Sequence, residues 1–238
     1  FNLMNHKNKK LIIKDLGKIS YQYGLHEQEK YFSEIIKIKK LNYKKEKLLK
    51  TDNFLLFVEH YPVFTLGKSG DINNLLTNKE FLTENKIEFF KTNRGGDITF
   101  HGPGQIVVYP ILDLDNFFTD IHKYLRTLEE VIIATLSDYG ILGFRIDGQT
   151  GVWVRKGKFP AQKICAFGVR ASRWVTMHGM SLNVNTNLDY FKYIVPCGIN
   201  DKGVTSIKEE LGRKVLLSEV KKRIARHFIN FFEVETKI

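Results

Sequence analysis

Apolar residues recur at helical spacing in three long stretches of the chain. These stretches cover residues from about 21 to 39, from about 119 to 139, and from Ser218, a good N-cap residue, onward. The second carries Ile121, Leu125, Leu128, Ile132 and Leu136 on one side, and Gly140 follows it as a plausible C-cap. We therefore expect three amphipathic helices, with a shorter helix near residues 79–84.

Short apolar runs between polar turns predict the strands. They cover residues 11–13, 54–58, 63–66, 87–90, 152–154, 161–169, 175–177 and 181–184. Residues 105–112 are apolar almost throughout, which indicates burial on both faces. Strands and helices mix without strict alternation, and no internal repeat or linker is visible. The sequence therefore predicts one α+β domain over residues 1–238, with a mixed β-sheet flanked by helices.

The composition indicates what kind of protein this is and in which compartment we expect it. The chain has 238 residues, of which 43% are hydrophobic, and this is ample for a full core. It has no uninterrupted run of about 18 apolar residues, so we expect no membrane span. Two cysteines in a chain of this length indicate reduced thiols and the cytoplasm, with a disulfide between Cys165 and Cys197 disfavoured.

The net charge of +11 has two readings. It could attract nucleic acid, an anionic membrane or an acidic protein partner. The positive residues are mostly lysines in a chain also rich in Asn, Ile, Phe and Tyr, a profile that fits compositional bias from an AT-rich genome. No nucleic-acid-binding module and no basic stripe interleaved with aromatic residues is present, so we expect neither nucleic acid nor membrane as a partner.

A glycine-rich segment, Arg94-Gly-Gly-Asp-Ile-Thr-Phe-His-Gly-Pro-Gly-Gln105, is the first candidate for chemistry. Glycines on both sides of His101 allow positive φ angles and close approach of the backbone to a ligand. The segment is no phosphate-binding P-loop, because no Gly-Lys-Ser/Thr follows. The alternative is a simple hairpin whose histidine is satisfied within the fold.

A lysine and a thiol form the second candidate. Strand alternation places Lys163 on one face with Cys165, where partial desolvation would favour its neutral form as a proton acceptor; the alternative is a lysine that snorkels at a strand end. Cys197 stands between Pro196 and Gly198, in a tight loop that a substrate could reach. Cys165 is the rival nucleophile, but its apolar neighbours resemble a core. The His178-Gly179 pair by itself suggests a structural role. No cluster has metal-ligand spacing, so we expect no metal and no cofactor.

These segments together resemble the lipoyl(octanoyl) transferase family. The matching segments are Glu59-His60 to Thr65-Leu66-Gly67, Asn74-Leu-Leu76, Arg94 to Gln105, Tyr109-Pro-Ile-Leu-Asp-Leu114, Gly151-Val-Trp153, Lys163-Ile-Cys-Ala-Phe-Gly-Val169, Ser172-Arg-Trp-Val-Thr-Met-His-Gly179, Leu182-Asn-Val184, Ile194-Val-Pro-Cys-Gly-Ile199 and Val204-Thr-Ser206. They span nearly all of residues 11–212. Lys68 stands where the family often has arginine, and Phe100 where it often has tyrosine.

The resemblance implies a fold related to the biotin and lipoate protein ligases. It implies octanoyl-acyl carrier protein as the donor, and as acceptors the lipoyl domains of 2-oxoacid dehydrogenases and the glycine cleavage H protein. By position, Cys197 becomes the acyl-thioester nucleophile, and Lys163 assists its deprotonation and shuttles protons. The implied substrate-binding residues are Arg94, Gly95, Gly96, Asp97, Ile98, Thr99, Phe100, His101, Ala166, Phe167, Gly168, Gly179, Met180 and Ser181.

Two alternatives stay open beside this reading. An ATP-dependent lipoate or biotin ligase would use the same implied fold, would activate the acid as an adenylate and would not need Cys197. A non-catalytic carrier-protein-binding module would bind the octanoyl carrier without turnover. Transfer from thioester to amide is downhill, so the transferase needs no ATP, and this separates it from the ligase.

Overall fold

Two sheets and five helices make up the described part of the chain, residues 7–44, 49–155, 157–195 and 203–236 of a computed structural model. The helices are α1 (Tyr21–Tyr43), α2 (Lys79–Glu84), α3 (Ile121–Ser137), α4 (Ile207–Leu211) and α5 (Leu217–Phe232). The strands are β1 (Lys10–Ile19), β2 (Asn53–His60), β3 (Val63–Leu66), β4 (Glu88–Lys91), β5 (Ile98–His101), β6 (Gln105–Ile111), β7 (Gly143–Ile146), β8 (Gln149–Val154), β9 (Gln162–Ser172), β10 (Val175–Asn183) and β11 (Glu235–Thr236).

The large sheet is mixed, as the sequence predicts. Among the described residues its order is β11-β1-β2-β6-β10-β9-β8-β7. β1 runs parallel to both β2 and β11, and the pairs from β2 to β7 are antiparallel. β6 lies inside this sheet, and all seven of its residues are buried. The apolar run over residues 105–112 therefore marks a strand covered on both faces, and that prediction is confirmed.

Helices cover the two faces of the large sheet according to strand alternation. Leu55 and Phe57 of β2 point into a core with α3 and α5, whose buried members include Leu128 and Phe228. The alternate β2 residues 54, 56 and 58 pack on the other face against α1. A buried aliphatic or aromatic side chain contributes about 1.5–3 kcal/mol, so these two cores dominate the stability of the sheet.

A small sheet, ordered β4-β3-β5, carries the glycine segment. Its core contains Phe64, Ile98 and Phe100, and the short 3-10 helix Leu188–Tyr193 packs against it. Phe100 stacks on Tyr190 with ring centroids 4.4 Å apart. Because β5 leads directly through the turn at 102–104 into β6, this small sheet sets the glycine segment beside the centre of the large one.

Several predicted boundaries were wrong, each for a local reason. The runs 175–177 and 181–184 belong to one strand, β10, because His178 adopts φ 59° and the strand continues through it. Helix α5 begins at Leu217, with Leu216 at the N-cap and no side-chain cap, so Ser218 lies inside the helix. Helix α1 reaches Tyr43, four residues beyond its predicted end near residue 39. Among the described helices, none is long and apolar enough to cross a membrane.

Candidate active site

A cavity of about 440 Å³ lies where the glycine segment meets β9 and β10. This volume is within the range of small-molecule sites, about 300–1,000 Å³. Most of its walls come from the glycine segment, residues 163–169 of β9, residues 178–183 of β10 and residues 148–150, and single residues of α1, β6, α3 and other segments complete them. The lining residues are Tyr21, Arg94, Gly95, Gly96, Asp97, Ile98, Thr99, His101, Val107, Tyr109, Leu125, Gly148, Gln149, Thr150, Lys163, Ile164, Ala166, Phe167, Gly168, Val169, His178, Gly179, Met180, Ser181, Asn183, Phe191 and Val204.

Arg94 holds the glycine segment in shape from inside. Its guanidinium is buried and donates to the carbonyl oxygens of Thr65 (2.6 Å), Asp97 (2.8 Å) and Gly95 (2.9 Å). The amide of Gly95 donates to the carbonyl oxygen of Val169 at 2.8 Å, which fixes the segment to β9. Charge-assisted bonds of this kind are stronger than neutral ones. The cavity wall is therefore held by backbone groups clamped around one buried cation.

Two glycines let neighbouring backbones approach more closely than any side chain would allow. A Cβ at Gly168 would lie 2.8 Å from the carbonyl oxygen of Gly95, and one at Gly179 would lie 2.2 Å from that of Val108. Both distances are shorter than a real Cβ contact. The absence of a side chain at these positions therefore brings β9 close to the glycine segment and lets β10 pair tightly with β6.

His101 sits in a hydrogen-bond network that fixes its tautomer. The Gln105 amide nitrogen donates to the carbonyl oxygen of Phe100 and to Oδ1 of Asn183, both at 3.0 Å. Oε1 of Gln105 must then accept from Nδ1–H of His101 at 2.8 Å. Nε2 of His101 keeps its lone pair, which faces the Thr65 hydroxyl at 3.4 Å. His101 is therefore a neutral acceptor in the cavity wall.

Tyr109 extends the polar wall, and His60 lies behind it as its hydrogen-bond partner. Nδ1 of His60 donates to the carbonyl oxygen of Ile19 at 3.1 Å, so its Nε2 accepts the Tyr109 hydroxyl proton at 2.7 Å. Burial lowers the pKa of His60 to about 4 and that of His101 to about 3. Burial also raises the pKa of Tyr21, which stacks parallel to His101, to about 12. At neutral pH the two histidines and the two tyrosines are therefore uncharged, and each histidine is hydrogen-bonded to other groups of the fold.

His178 occupies a strained backbone position in the floor of the cavity. Its φ of 59° is rare for a residue other than glycine, and its amide donates to Oε1 of Gln28 in α1 at 2.8 Å. Nε2 of His178 lies 2.7 Å from Oδ1 of Asn93, an acceptor, so Nε2 carries the proton. Burial, together with the charges of Arg94 and Arg170, lowers the pKa of His178 to about 3. Hydrogen bonds at both ends thus support the strained conformation.

Lys163 reaches the cavity from the start of β9. Its backbone N–H donates to the carbonyl oxygen of Gly203, and its carbonyl oxygen accepts from the amide of Thr205, both at 3.0 Å. On the other side, the amide of Val195 donates to the carbonyl oxygen of Asn74 at 2.8 Å. The chain before and after residues 196–202 is therefore anchored to the small sheet's neighbourhood and to Lys163. Cys197 itself lies outside the described residues.

The structure brings most of the predicted site residues to one cavity. Lys163 lines it, with thirteen of the fourteen predicted substrate-binding residues. Phe100 does not, because strand alternation turns it into the core of the small sheet. Cys165 is fully buried, as its apolar neighbours indicate, and burial raises the pKa of its thiol well above the usual value. Within the described ranges, no group of three His, Cys, Asp or Glu side chains could hold a metal ion.

Sequence reasoning missed several lining residues. Tyr21 was noted only as the start of a helix, and the β7–β8 turn at 148–150 was not singled out. Tyr109 and Asn183 stood in quoted motifs but were given no role. Part of the signal was available for Tyr109, since its hydroxyl is a polar group in the mostly apolar strand β6.

Comparison with known proteins defines the class. The family model for the lipoyl protein ligase A/B catalytic domain matches residues 36–229. The solved structures include an archaeal bi-partite lipoate protein ligase from Thermoplasma acidophilum (TM-score 0.66, 16% identity, 97% of this chain and 86% of that chain). A lipoate-protein ligase A solved with ATP bound is also similar (TM-score 0.67, 16% identity, 97% and 90%). The chain thus has the lipoate protein ligase fold and belongs to the lipoyl protein ligase A/B catalytic domain family.

Relatives closer in sequence narrow the activity. An octanoyltransferase of Flavobacterium johnsoniae is 57% identical over 96% of this chain and 99% of its own. Octanoyltransferases of Flavobacterium psychrophilum (56%, 95% and 98%) and Bacteroides fragilis (44%, 92% and 97%) are similar along their whole length. The activity that this similarity supports is octanoyl transfer in protein lipoylation, and the chain is an acyltransferase of that kind.

Proposed function

We propose that the enzyme takes octanoyl from an acyl carrier protein and delivers it to a lipoyl-domain lysine through a thioester on Cys197. The observation that carries this proposal is the position of Lys163. Its side chain lines a cavity of suitable size, and its backbone is bonded to Gly203 and Thr205, where the chain emerges from the segment that contains Cys197. This connection supports a lysine and a thiol that act together. Residues 1–238 would form one catalytic domain.

In the first half-reaction the Cys197 thiolate attacks the octanoyl carbonyl carbon. A bond forms between that carbon and Sγ of Cys197, and the bond to the carrier sulfur breaks. The Lys163 ammonium gives a proton to the departing carrier thiolate and becomes a neutral amine. The products are the octanoyl enzyme and the free carrier thiol, and charge is balanced throughout.

In the second half-reaction the neutral amine of the acceptor lysine attacks the octanoyl-Cys197 thioester. The new C–N bond forms, the C–S bond breaks, and Cys197 leaves as a thiolate. Lys163 takes the proton that the attacking nitrogen releases and is again an ammonium. The resting pair is restored, and the conversion of thioester into amide drives the cycle without ATP.

The cavity residues give this chemistry its binding site. The octanoyl chain would lie along Ala166, Phe167 and Gly168 on β9 and Gly179, Met180 and Ser181 on β10, with the glycine segment 94–99 and His101 opposite. Arg94 would act by shaping the segment, because its described bonds go to carbonyl oxygens of the fold and to the Thr65 hydroxyl. The acceptors would be lipoyl domains of 2-oxoacid dehydrogenases and the glycine cleavage H protein, in the cytoplasm, where thiols stay reduced.

Intact-protein mass spectrometry tests the nucleophile. After incubation with octanoyl carrier protein, the enzyme should gain the mass of one octanoyl group. Cys197→Ala should gain none and transfer none, while the matched variant Cys165→Ser should retain both, because Cys165 is fully buried in the core. An acylated Cys197→Ala protein would overturn the assignment.

Removal of ATP separates the transferase from the ligase. With apyrase present, octanoyl transfer from the carrier to a lipoyl domain should continue at an unchanged rate. Strict dependence on ATP would move the protein to the adenylate-forming ligases whose fold it shares. Binding of the octanoyl carrier with neither acylation nor onward transfer would instead favour the binding module.

A further inference from the structure

The Lys163 amine lies on the face of a buried indole. Its Nζ is 4.7 Å from the centroid of the Trp153 ring, and Trp153 is only 1% exposed. Within about 6 Å a ring face attracts a cation, most strongly for tryptophan, and more so where water is excluded. The register of β8 against β9 shifts between Val152 and Trp153, which sets Trp153 directly opposite Lys163.

The backbone below this pair is held by a buried carboxylate. Glu129 of α3 is fully buried, and its Oε1 accepts the amide of Gly151 at 2.9 Å. Its Oε2 pairs with Nε of Arg145 at 2.8 Å and with Nη1 of Arg126 at 3.0 Å. Gly151 has φ 150°, and a Cβ there would lie 3.1 Å from Cε of Lys163 and 3.3 Å from Nε1 of Trp153. Gly151 therefore leaves just enough room for the lysine stem beside the indole.

We propose that Trp153 is a positioning residue for Lys163, and that its indole face holds the ammonium where the transfer reaction uses it. The inference rests on the proposed function, because Trp153 would matter for catalysis only if Lys163 transfers protons in the reaction. Glu129 supports this arrangement by accepting the amide of Gly151 in β8, the strand that carries Trp153. Gly151 leaves space for the Lys163 side chain beside the indole.

The ammonium occurs in both half-reactions, so the indole acts in each. It is a reactant in the first, where it protonates the carrier thiolate that leaves. It is a product in the second, where it forms as the acceptor amine loses its proton. An aromatic face that stabilises the cation therefore favours the reactive resting pair and also the uptake of the proton. A purely structural indole would act through packing alone and would not depend on the charge of Lys163.

Fluorinated tryptophan tests this proposal with little change in shape. The chain has two tryptophans, and Trp174→Phe, a change at the tip of the β9–β10 hairpin, leaves Trp153 alone. Replacing Trp153 with 5-fluoro- and then 5,7-difluorotryptophan withdraws charge from the ring face. The rate of octanoyl-enzyme formation in a single turnover should fall stepwise, by about 2- to 5-fold across the series.

A double-mutant cycle gives the second measurement. Trp153→Leu should slow acylation by about 5- to 30-fold, and Trp153→Phe, which keeps a weaker ring face, should recover part of that loss. Combined with Lys163→Met, Trp153→Leu should add little, since the cation it serves is gone. The matched control Trp174→Leu should leave the rate unchanged.

The results of these experiments distinguish failure of the positioning role of Trp153 from failure of the proposed function. A wild-type enzyme that is never acylated on Cys197 would refute the proposed function. An active wild type whose rate ignores ring fluorination, or whose Trp153 and Lys163 losses multiply independently, would refute the positioning role and leave the transferase intact. If Trp153→Leu fails to fold, the fluorinated series still decides, since it keeps the indole in place.

Discussion

Three buried histidines should make this fold sensitive to mild acid. His60, His101 and His178 are at most 7% exposed, and burial is the main cause that lowers their pKa values from 6.5 to about 4, 3 and 3. Between pH 6.5 and these values the unfolded chain binds three protons that the folded chain rejects. Stability therefore rises with pH in this window and is lost as the pH falls through it.

The size of the loss follows from linkage. At pH 5 an unfolded histidine with a pKa of about 6.5 is almost fully protonated, while each of the three folded ones is nearly all neutral. Relative to pH 7, each contributes a loss of about 2 kcal/mol, and the three together about 5–6 kcal/mol. This compares with a total stability of about 5–15 kcal/mol for a typical domain. At about pH 5 we therefore expect the free energy of unfolding to fall close to zero or below it.

Urea unfolding at pH 7, 6 and 5, followed by tryptophan fluorescence, measures this loss. His178→Asn removes one titrating group and suits the backbone, since asparagine tolerates positive φ. Its free energy of unfolding should fall by about 2 kcal/mol less than the wild-type value between pH 7 and pH 5. His122→Asn is the matched control, because His122 is exposed on α3.

Equal stability at pH 7 and pH 5 would refute the reasoning, because it would mean that the three histidines accept protons within the folded protein. A wild-type loss with an unchanged slope in His178→Asn would show that other groups, such as paired carboxylates, cause the acid sensitivity. The calorimetric uptake of about three protons on unfolding near pH 5 is an independent check.

Three further changes probe the site. Lys163→Ala should cut transfer by about 10²-fold or more in a folded protein, and Lys163→Arg should not rescue it, because arginine stays protonated; near-wild-type turnover in Lys163→Arg would count against the proton shuttle. Gly179→Ala should abolish transfer and lower the melting temperature, since its Cβ would meet the carbonyl oxygen of Val108 at 2.2 Å. Gly148→Ala has open space around it and carries only the strain of an alanine at φ 73°, so it should lower the melting temperature less; equal losses in both variants would contradict this. For the net charge of +11, kcat/KM with the carrier-borne donor should fall as salt rises from about 50 to about 500 mM, while a small octanoyl thioester responds little; equal responses would attribute the charge to composition.

The fold was predictable where one physical signal dominated. The wholly apolar run at 105–112 identified a strand covered on both faces, and the helical spacing of Leu128 and Ile132 identified α3. Prediction failed where the backbone departs from the average for its residues. His178 has a positive φ inside a strand, which no propensity anticipates, and the hydrogen bonds that it donates to Gln28 and Asn93, distant in sequence, support it.

The candidate site was predictable to a similar extent. The family resemblance named residues 94–101 in the glycine segment, 166–168 on β9 and 179–181 on β10, and all of these except Phe100 line one cavity. Phe100 shows the limit of this approach. It belongs to the motif, but in a strand alternate side chains point to opposite faces, and Phe100 points into the core of the small sheet and not into the cavity. Trp153 shows another, since its position opposite Lys163 depends on a register shift at Val152 that the sequence pattern does not reveal.

The polar groups of the site differ in charge because they have different proposed roles, some in shaping the cavity and one, Lys163, in proton transfer. The proposed binding of an acyl chain favours walls without unpaired charges: Arg94 is bonded to carbonyl oxygens, and burial lowers the pKa of His101 and of His178 so that both are neutral at pH 7. Lys163 differs, because its Nζ lies over the Trp153 indole face, 4.7 Å from the ring centroid. In the proposed mechanism its ammonium gives up a proton in one half-reaction and takes it back in the other, and an aromatic face can stabilise the cation without itself exchanging a proton.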